Sequence, residues 1–325
     1  MTIIFVERLH GVNFHRLIVP FLRLREQGLV NLHVIDDSFD MLNFDLTHVK
    51  NFVVSRTLFA KAKGAEAFSK RLKDAGVKLI VDLDDHWEVE RSNPYWFAFQ
   101  GPDGMSNAIK RTVKIADEIW TPSTILAKHI RKHLNRNANI RIVPNAIDPD
   151  MPMWNKEKET GSDLWFGYLG ASSHMLDIQE MNLVEWENYN VSTVHMLDTD
   201  YVRFFKANKV LAPKPIFEYG ELYSTCDVSL VPLRGGKFNQ SKSSLKVAEA
   251  GFSRTAIIAS NVTPYKEVIE HGTTGILCSN REEWVDAIAS MTKQEAKRLG
   301  DNLYEAVRVD FHIDTVNQQR LLGLQ

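Results

Sequence analysis

Three carboxylates and an imidazole follow a short apolar run in the stretch VDLDDHW, residues 81–87. At the spacing Asp82-x-Asp84, carboxylate oxygens could hold Mg²⁺ or Mn²⁺ beside a diphosphate. Neighbouring carboxylates such as Asp84 and Asp85 repel each other, which can raise the pKa of one and suit it to a base role. The same carboxylates could instead cap backbone amides of the long loop through Pro94. The stretch alone leaves a metal site, a base and a loop cap open.

A second stretch, FNQSKSSLKVAEAG at residues 238–251, carries two lysines and a glutamate at helical spacing. If a helix begins at Ser241, then Lys242, Lys246 and Glu249 lie on one face. Free backbone N–H groups at the start of a helix, with two ammonium groups nearby, suit a diphosphate. A carboxylate further along that face can accept hydrogen bonds from the hydroxyls of a ribose. The alternative is an exposed helix with a lysine–glutamate pair.

The overall composition is that of an ordinary globular protein. The chain has 325 residues, of which 44% are hydrophobic and 25% charged, and its formal net charge is -2. That length suits two domains of about 150 residues each. Since the net charge is small, no global field attracts the protein to nucleic acid or anionic lipid. Two local basic runs, Lys61–Lys73 and Lys128–Arg141, are most simply solvated helix faces.

Cysteine usage and the N-terminal residues predict a cytoplasmic protein. Cys226 and Cys278 adjoin apolar strand-like segments, which suits buried thiols in a reducing compartment. The opening residues MTIIFVERLHG predict a first strand, because the apolar run is too short for a signal peptide and lacks its basic lead. No stretch approaches the roughly 20 apolar residues that span a bilayer.

Short apolar strands alternate with amphipathic helices along the chain, which predicts an α/β fold with parallel sheets. The predicted strands are Thr2–Val6, Leu32–Ile35, Asn51–Val54, Leu79–Val81, Glu118–Thr121, Leu164–Leu169, Val191–Met196, Val228–Pro232 and Thr255–Ala259. The clearest predicted helices are Phe14–Glu26, Ala60–Lys73 and Ser123–Leu134. Residues 148–163 combine two prolines, a glycine and several charges without apolar periodicity, and are the best linker candidate.

The linker divides the chain into two Rossmann-like domains, residues 1–150 and residues 151–325, with the final helix able to pack back on the first domain. In such sheets the working residues lie in loops beyond the carboxyl ends of the strands. Polar clusters fall there at Glu7–His15, Asp82–Trp87 and Gly170–His174. Two sheets that face each other across a cleft would hold a donor on one side and an acceptor on the other.

Motifs along nearly the whole chain resemble one enzyme family. They are FNxxKSxLKxxE from Phe238 to Glu249, Pro264-Tyr265, EHGxxG from Glu270 to Gly275, ADEIWTPS from Ala116 to Ser123, VPNAID from Val143 to Asp148, and the glycine loop Gly11–Arg16. Together they are similar to the GT-B glycosyltransferases near family four (group 1). The FNxxKSxLKxxE pattern also resembles glycosyltransferases of bacteriophages, some of which modify hydroxymethylated DNA bases.

The resemblance implies a GT-B fold and transfer of a sugar from a nucleotide-sugar donor to an acceptor hydroxyl. It also implies retention of the anomeric configuration, no metal requirement and no cofactor beyond the donor substrate. Glu249 would bind the donor ribose, and Lys242 and Lys246 would neutralise the diphosphate. The predicted donor-binding residues are Gly11, Arg16, Gly170, His174, Asn239, Lys242, Ser243, Lys246 and Glu249.

The loop after the Leu79–Val81 strand is then assigned to the acceptor side. Since the lysines and the helix start already supply positive charge to the diphosphate, we expect no metal there. Asp84 and Asp85 are predicted to be catalytic together with Lys246. The predicted acceptor-side residues are Asp82, His86 and Trp87.

Two departures from the family pattern bear on function. Members usually carry a glutamate separated from Glu249 by seven positions, where this chain has Ser241. Many members also place a basic residue and a Lys-Gly pair in the loop that here is Gly170–His174. A nucleotide-sugar sensor without turnover, on a degenerate GT-B fold, is therefore the alternative to an enzyme. The acceptor, a glycan or a hydroxymethylated DNA base, stays open, as does the oligomeric state.

Overall fold

The computed structural model describes residues 1–5, 11–36, 44–58, 62–171, 174–195 and 200–325. Two of the predicted loops are therefore described only in part. Residues 7–10 of the loop after the first strand lie outside the described residues, and so do Ser172 and Ser173 of the Gly170–His174 loop.

Neighbouring strands of the first sheet are all parallel. The strands are β1 (Thr2–Phe5), β2 (Leu32–Ile35), β3 (Asn51–Ser55), β4 (Lys78–Asp82), β5 (Glu118–Thr121) and β6 (Ile140–Ile142), in the spatial order β2-β1-β3-β4-β5-β6. Ser55 at the end of β3 pairs with Asp82 at the end of β4. The loops that follow these two strands therefore leave the sheet side by side.

The second sheet is built in the same way. Its strands are β7 (Trp165–Tyr168), β8 (Asn190–Val194), β9 (Lys209–Leu211), β10 (Val228–Val231), β11 (Ala256–Ser260) and β12 (Ile276–Cys278), in the order β12-β11-β10-β7-β8-β9. β7 and β10 are neighbours, since Phe166 pairs with Val228. The polar loops that follow these two strands therefore leave the sheet side by side, at the carboxyl ends of the strands.

Helices and helical turns connect the strands. The α-helices are α1 (Gly11–Asn13), α2 (Val19–Glu26), α3 (Ala62–Asp74), α4 (Trp96–Phe99), α5 (Met105–Ile115), α6 (Thr124–His133), α7 (Tyr201–Phe204), α8 (Lys237–Gln240), α9 (Leu245–Phe252), α10 (Arg281–Ala289), α11 (Lys293–Val307) and α12 (Ile313–Leu324). A π-helical turn, Phe14–Ile18, joins α1 to α2. Short 3₁₀ helices lie at Pro152–Trp154, Asp177–Met181, Trp186–Asn188, Tyr219–Thr225 and Tyr265–Glu267.

Apolar side chains of the first sheet alternate between two cores, as the two-residue period of a strand requires. Phe52 and Val54 of β3 pack with Phe68 of α3 on one face. Val53 of the same strand packs on the other face, in a core shared with Phe21 of α2. Because helices cover both faces, the central strands are apolar throughout, which is why the sequence shows continuous apolar runs there.

The predicted α/β class with two parallel sheets is confirmed. Three strands, β6, β9 and β12, were not among the predicted ones. Each has three residues and lies at an edge of its sheet. Three residues are too few to show a periodic apolar pattern, so these strands depend on pairing with a longer neighbour rather than on a local signal.

The helix predicted to begin at Ser241 begins at Leu245 instead. Ser244 precedes it with φ −86° and ψ 25°, outside the helical range. Serine hydroxyls compete for backbone partners, so serine-rich segments favour caps and turns over helix interiors. Lys242 therefore does not lie on the helix that carries Lys246 and Glu249, and the prediction of a single face for all three residues is wrong.

The chain folds into two compact units. The first unit comprises Met1–Ala146, Ser241–Ser243 and Ile313–Gln325, and the second unit comprises Ile147–Gln240 and Ser244–His312. α12 thus belongs to the first unit, where Asn317 Nδ2 on α12 donates to the Pro20 carbonyl at 3.1 Å. The tripeptide Ser241–Ser243 also belongs to the first unit, although both of its flanking segments belong to the second.

A buried ion pair fixes the end of β4 in the first unit. Arg16 Nε donates to Asp82 Oδ1 at 2.5 Å, and Nη2 donates to Oδ2 at 2.9 Å. Both side chains are 1% exposed. Burial raises the pKa of Asp82, and the Arg16 guanidinium opposes that rise. A second buried arginine, Arg320 of α12, donates to the Arg16 carbonyl at 3.2 Å. This packing joins the helical segment after β1, β4 and α12.

Removing the carboxylate of this pair should destabilise the fold. Asp82→Ala leaves the Arg16 charge buried without its partner, so we expect the free energy of unfolding to fall by about 3–5 kcal/mol. Urea unfolding followed by tryptophan fluorescence measures the change. The matched control is Asp74→Ala at the Lys70–Asp74 pair, whose side chains are 77% and 63% exposed. That change should cost under about 1 kcal/mol. A loss for Asp82→Ala no larger than the control's would contradict the assigned role.

Candidate active site

The loops after β3 and β4 meet in a cluster of charges on the first unit. Arg56 Nε donates to Asp84 Oδ1 at 2.7 Å, and Nη2 donates to Asp84 Oδ2 at 2.8 Å and to Asp85 Oδ2 at 2.9 Å. Arg56 adopts a left-handed backbone conformation, with φ 59°. Such conformations are unfavourable for side-chain-bearing residues and persist where the surroundings hold them. The double ion pair with the aspartates is a contact that does so.

Asp84 does not have the raised pKa expected of one member of a carboxylate pair. Burial raises its pKa, but the Arg56 guanidinium outweighs burial and holds the pKa below the usual range. Asp84 is therefore a fixed anion, poorly suited to accept a proton near neutral pH. Asp85 shares the same arginine but lies further out, with 21% of its side chain exposed against 9% for Asp84.

Lys242 also lies in this cluster. Its Nζ is 3.8 Å from Asp85 Oδ1, and 18% of the side chain is exposed. Lys242 was predicted to bind the donor diphosphate beside Lys246 on one helix. The structure instead places it in the first unit, beside a carboxylate that was predicted to be catalytic. The two lysines of the KSxLK pattern therefore have different neighbours.

Arg16 and Asp82 occupy interior positions. Arg16 was predicted as a donor-binding residue and Asp82 as an acceptor-side residue, yet each side chain is only 1% exposed and bound to the other. The remaining Arg16 donor group is also used internally, since Nη1 donates to Asn145 Oδ1 at 2.7 Å and to the Val143 carbonyl at 3.0 Å. This geometry favours a structural role for both residues over contact with a substrate.

His86 and Trp87 are likewise buried, at 2% and 1% exposure. Their rings stack with centroids 4.2 Å apart, and the His129 ring meets His86 edge-on at 5.2 Å. Trp87 packs in a core with Ile109 of α5. A ring enclosed in this way offers no open face to a sugar, which favours packing over the predicted acceptor-side role.

The Ser241–Ser243 segment is held against the first unit by hydrogen bonds. Asn145 Nδ2 donates to Ser243 Oγ at 2.7 Å, and Asn145 also accepts from Arg16. Ser241 is fully buried, and its Oγ lies 3.5 Å from His129 Nδ1. The Asn145 amide thus connects the buried Arg16 to the segment that carries Lys242.

The second unit carries its own cationic cluster at α9. The Lys246 ammonium is hydrogen-bonded to the Tyr219 hydroxyl and donates to Glu249 Oε2 at 2.9 Å. The Tyr223 hydroxyl donates to the same Glu249 oxygen at 2.8 Å. Burial lowers the pKa of Lys246, but Glu249 and Tyr219 outweigh it and the pKa ends above its usual range. Lys246 is therefore a permanent cation, 30% exposed, backed by a buried carboxylate.

A second group of polar side chains lies at the carboxyl ends of β7 and β10. The His174 Nδ1 is 2.8 Å from Asp177 Oδ2, and Asp177 Oδ1 accepts from the Arg234 backbone N–H at 3.0 Å. Asn239 Nδ2 approaches the same Oδ1 at 3.3 Å. Asp177 therefore joins the loop after β7 to the loop after β10.

The two predicted glycines have different surroundings. A Cβ at Gly170 would overlap the Tyr168 ring, so that position requires glycine for packing whatever it binds. A Cβ at Gly11, where α1 begins, would meet nothing within 4 Å. Packing therefore explains why residue 170 is a glycine. The predicted contact of Gly11 with the donor stays a prediction.

The predicted residues fall into two groups, one in each unit. In the first unit, Asp85 and Lys242 are partly exposed beside Arg56, and in the second unit the predicted residues surround Lys246 and Asp177. Sequence reasoning missed the residues that organise these groups: Arg56, Asn145, Asp177, Tyr219, Tyr223 and Arg234. A search for polar residues just beyond every predicted strand would have found Arg56 and Arg234, since Arg56 follows Asn51–Val54 and Arg234 follows Val228–Pro232.

Among the described residues, no group of three or more His, Cys, Asp or Glu side chains is arranged to hold a metal ion. The two cysteines are buried thiols, and burial raises the pKa of Cys226 to about 11 and that of Cys278 to about 12. Within the same parts of the chain, no helix is long and apolar enough to cross a membrane.

Residues 199–294 match the family model described as glycosyl transferases group 1. The fold is similar to Anabaena HepE, solved with UDP and glucose, with a TM-score of 0.66 at 13% identity over 99% of this chain and 98% of HepE. A glycosyltransferase from Rickettsia africae matches with a TM-score of 0.64 at 12% identity over 99% and 97% of the two chains. The chain has the GT-B fold and carries a group 1 glycosyltransferase domain. The predicted enzyme class, a glycosyltransferase, is thereby confirmed.

A third solved structure has a similar fold. Sucrose-phosphate synthase from Thermosynechococcus elongatus matches with a TM-score of 0.60 at 14% identity, over 83% of this chain and 71% of the synthase. Comparison with curated protein sequences gave no match. The matched domain, residues 199–294, contains Tyr219, Lys246 and Glu249, so the α9 cluster lies inside the region that the family model recognises.

Substitution of Lys246 should weaken binding of a nucleoside diphosphate. Lys246→Ala removes the cation at the start of α9, and we expect a loss of about 1.5–3 kcal/mol in binding free energy, the scale of a hydrogen bond to a charged group. Isothermal titration with UDP measures it. The control is Lys266→Ala, an exposed lysine beside Tyr265, which should change UDP affinity by less than about twofold. Unchanged affinity in a folded Lys246→Ala protein would exclude this site.

Proposed function

We propose that the second unit binds a uridine diphosphate sugar and that the protein transfers the sugar to an acceptor hydroxyl. The observation that carries the proposal is the Lys246 ammonium, held by Glu249 and Tyr219 at the start of α9. A permanent cation backed by a buried carboxylate suits a diphosphate leaving group. The presence of UDP and glucose in the HepE structure supports uridine as the nucleoside.

The chemical step rests on leaving-group stabilisation. Negative charge grows on the diphosphate as the bond from the sugar to its oxygen breaks, and a cation already in place lowers that barrier without reorganisation. Because the pKa of Lys246 is raised, the ammonium stays charged throughout the physiological range. Glu249 positions the lysine, and the predicted contact of Glu249 with the ribose remains part of the proposal.

Retention of the anomeric configuration belongs to the same proposal. An inverting transfer needs a base to take the proton of the acceptor hydroxyl, and such a base works best with a pKa near the operating pH. Asp84 has a lowered pKa and two bonds from Arg56, so it is a poor base. A mechanism that depends on positioning and leaving-group stabilisation fits these residues better.

The geometry of the DxD triplet supports independence from metal ions. Asp82 binds Arg16 through both oxygens, and Asp84 binds Arg56 through both oxygens. A cation bridging a diphosphate would have to displace both arginines. The positive charge that a metal would bring to the diphosphate is supplied in the second unit by Lys246.

The acceptor side is assigned to the first unit, and specifically to Asp85. Of the three carboxylates in the loop, Asp85 is the most exposed, at 21% against 1% for Asp82 and 9% for Asp84. A carboxylate accepts hydrogen bonds from sugar hydroxyls, whereas it repels the phosphates of nucleic acid. We therefore favour a glycan acceptor over a hydroxymethylated base in DNA.

A panel assay tests the proposed function. The protein is incubated with UDP-, GDP-, ADP- and dTDP-sugars in excess EDTA, with a glycan extract or with duplex DNA containing hydroxymethylated bases, and release of nucleoside diphosphate is followed. Release from a UDP-sugar should survive chelation with at most about a twofold loss. Activity that disappears with EDTA and returns with Mn²⁺ would restore the metal interpretation of the DxD triplet. Donor binding without release under every condition would identify a sensor.

Asp85 should affect transfer without affecting donor binding. Asp85→Asn keeps the shape of the side chain but removes its charge, and we expect initial transfer rates to fall by about tenfold, the effect of one lost hydrogen bond between a charged group and the acceptor. UDP-sugar affinity should stay within about threefold, because the lost interaction involves the acceptor. The control is Glu88→Gln in the same loop, whose side chain is 56% exposed and which should transfer at close to the wild-type rate. A wild-type rate for Asp85→Asn would make the carboxylate merely structural.

A further inference from the structure

Two aromatic side chains of the segment after β4 point into solvent. Phe97 of α4 is 82% exposed, and Tyr95, just before α4, is 52% exposed. Of the large hydrophobic side chains that the structure describes, Phe97 is the most exposed. We call Tyr95 and Phe97 the aromatic surface. Its rings contribute little to the core, and neighbouring exposed apolar groups are typical of a surface that binds a partner.

The backbone beneath the aromatic surface is ordered by local hydrogen bonds. The Tyr95 N–H donates to Asn93 Oδ1 at 2.9 Å, and the Trp96 N–H donates to the Asn93 carbonyl at 2.9 Å. The Gln100 N–H donates to the Phe97 carbonyl at 3.2 Å, and the rings of Trp96 and Phe97 meet edge-on with centroids 5.0 Å apart. Rings that are already held in place lose little conformational entropy when they bind a ligand.

The aromatic surface is joined by packing to the loop that carries Asp85. Trp87, two residues after Asp85, lies in the core that includes α5, and Phe99 of α4 packs against the same core. Between them, Lys110 Nζ of α5 donates to Glu88 Oε1 at 3.3 Å. The aromatic surface and the proposed acceptor residue therefore belong to one packed part of the first unit.

The charges of this part of the unit indicate which partner the aromatic surface fits. Residues 88–104 and the α5 residues bonded to them carry equal numbers of acidic and basic side chains, namely Glu88, Glu90 and Asp103 against Arg91, Lys110 and Arg111. Contact with anionic lipid or with nucleic acid depends on an excess of Lys and Arg. A neutral glycan needs no such excess, and the apolar C–H face of a sugar ring can pack on an aromatic ring.

We propose that the aromatic surface is an outer acceptor subsite, on which a neutral glycan chain stacks one of its sugar rings while a different sugar of the chain is the one that reacts. This inference rests on the proposed function and deepens it, because it assigns the acceptor as a chain of several sugars. The stacking contact is remote from the reacting atoms and is the same in the ground state and the transition state. It therefore lowers the KM for the glycan and leaves kcat unchanged.

Three substitutions of Phe97 test the proposal. Phe97→Ala removes the side chain, Phe97→Leu keeps it apolar without a ring, and Phe97→Tyr keeps the ring. The acceptor is the neutral fraction of the glycan extract from the panel assay, supplied over a range of concentrations. We expect the Ala and Leu variants to raise the KM for this fraction about fivefold, the scale of one aromatic contact. Their kcat, and the KM of Phe97→Tyr, should stay within about twofold of the wild type.

Control measurements separate acceptor binding from a structural role. UDP affinity, the unfolding midpoint and the slow hydrolysis of the UDP-sugar by water involve no glycan, so the Phe97 variants should match the wild type in all three. Leu322→Ala removes a side chain of α12 in the same unit that is 50% exposed, and it should leave the KM for the glycan unchanged. Loss of UDP affinity or of hydrolysis in the Phe97 variants would overturn the proposal.

Other partners for the aromatic surface give different results. Sedimentation with vesicles of phosphatidylcholine and phosphatidylglycerol that is lost in Phe97→Ala but retained in Phe97→Leu would identify a membrane contact. A dimer in sedimentation velocity that Phe97→Ala dissociates would identify contact with a second copy of the chain. Either result, or transfer confined to the anionic fraction of the extract, would overturn the proposal.

The acceptor panel distinguishes this inference from the proposed function. If the wild type transfers sugar to the neutral glycan fraction and all three Phe97 variants have its KM, the inference fails and the proposed function stands. If the wild type transfers sugar only to hydroxymethylated DNA, the inference again fails, while transfer from a UDP-sugar stands. If no nucleotide sugar releases its nucleoside diphosphate under any condition, both fail together.

Discussion

A charge that is taken out of water has to be paired inside the protein, and this constraint applies to the loops at the carboxyl ends of the strands in both sheets. In the first unit Asp82 is paired with Arg16, and Asp84 with Arg56. In the second unit Glu249 is paired with Lys246. Each pair places a charged group at the carboxyl end of a strand or at the start of a helix. The pairs hold the loops, and the loops determine which charges remain accessible to a ligand.

Exposure then separates residues that look alike in the sequence. Asp82, Asp84 and Asp85 lie within four positions, but the first is enclosed with an arginine, the second is fixed as an anion, and only the third is open on one side. The two lysines of the KSxLK pattern differ in the same way, since one lies beside Asp85 and the other beside Glu249. Residue type and spacing identified the groups. Their long-range partners decided their roles.

Most of the fold follows from local pattern. The central strands are continuous apolar runs because helices cover both faces of each sheet, and such runs can be read directly from the sequence. The three edge strands escaped prediction because three residues carry no periodic signal. The helix start at Leu245 was misplaced because Lys242, Lys246 and Glu249 happen to have helical spacing, while the serines before the helix favour a turn.

For the contacts of Asp84 and Asp177, the sequence predicted only one of the partners. Asp84 was found, yet Arg56 is 28 positions away along the chain and meets Asp84 only because β3 and β4 are neighbours. His174 was found, yet its loop is joined to Arg234, 57 positions from Asp177, through a carboxylate that no motif had marked. The order of the strands determines which of these distant residues come into contact, and strand order in a parallel sheet is not a local property of the sequence.

The short segment Ser241–Ser243 shows how a local motif can serve two units. It belongs to the first unit, where Ser243 accepts a hydrogen bond from Asn145, and the chain then enters α9 of the second unit at Leu245. A continuous helix from Ser241 would have placed Lys242 and Lys246 on one face. By interrupting the helix, the serines let Lys242 pair with Asp85 while Lys246 pairs with Glu249.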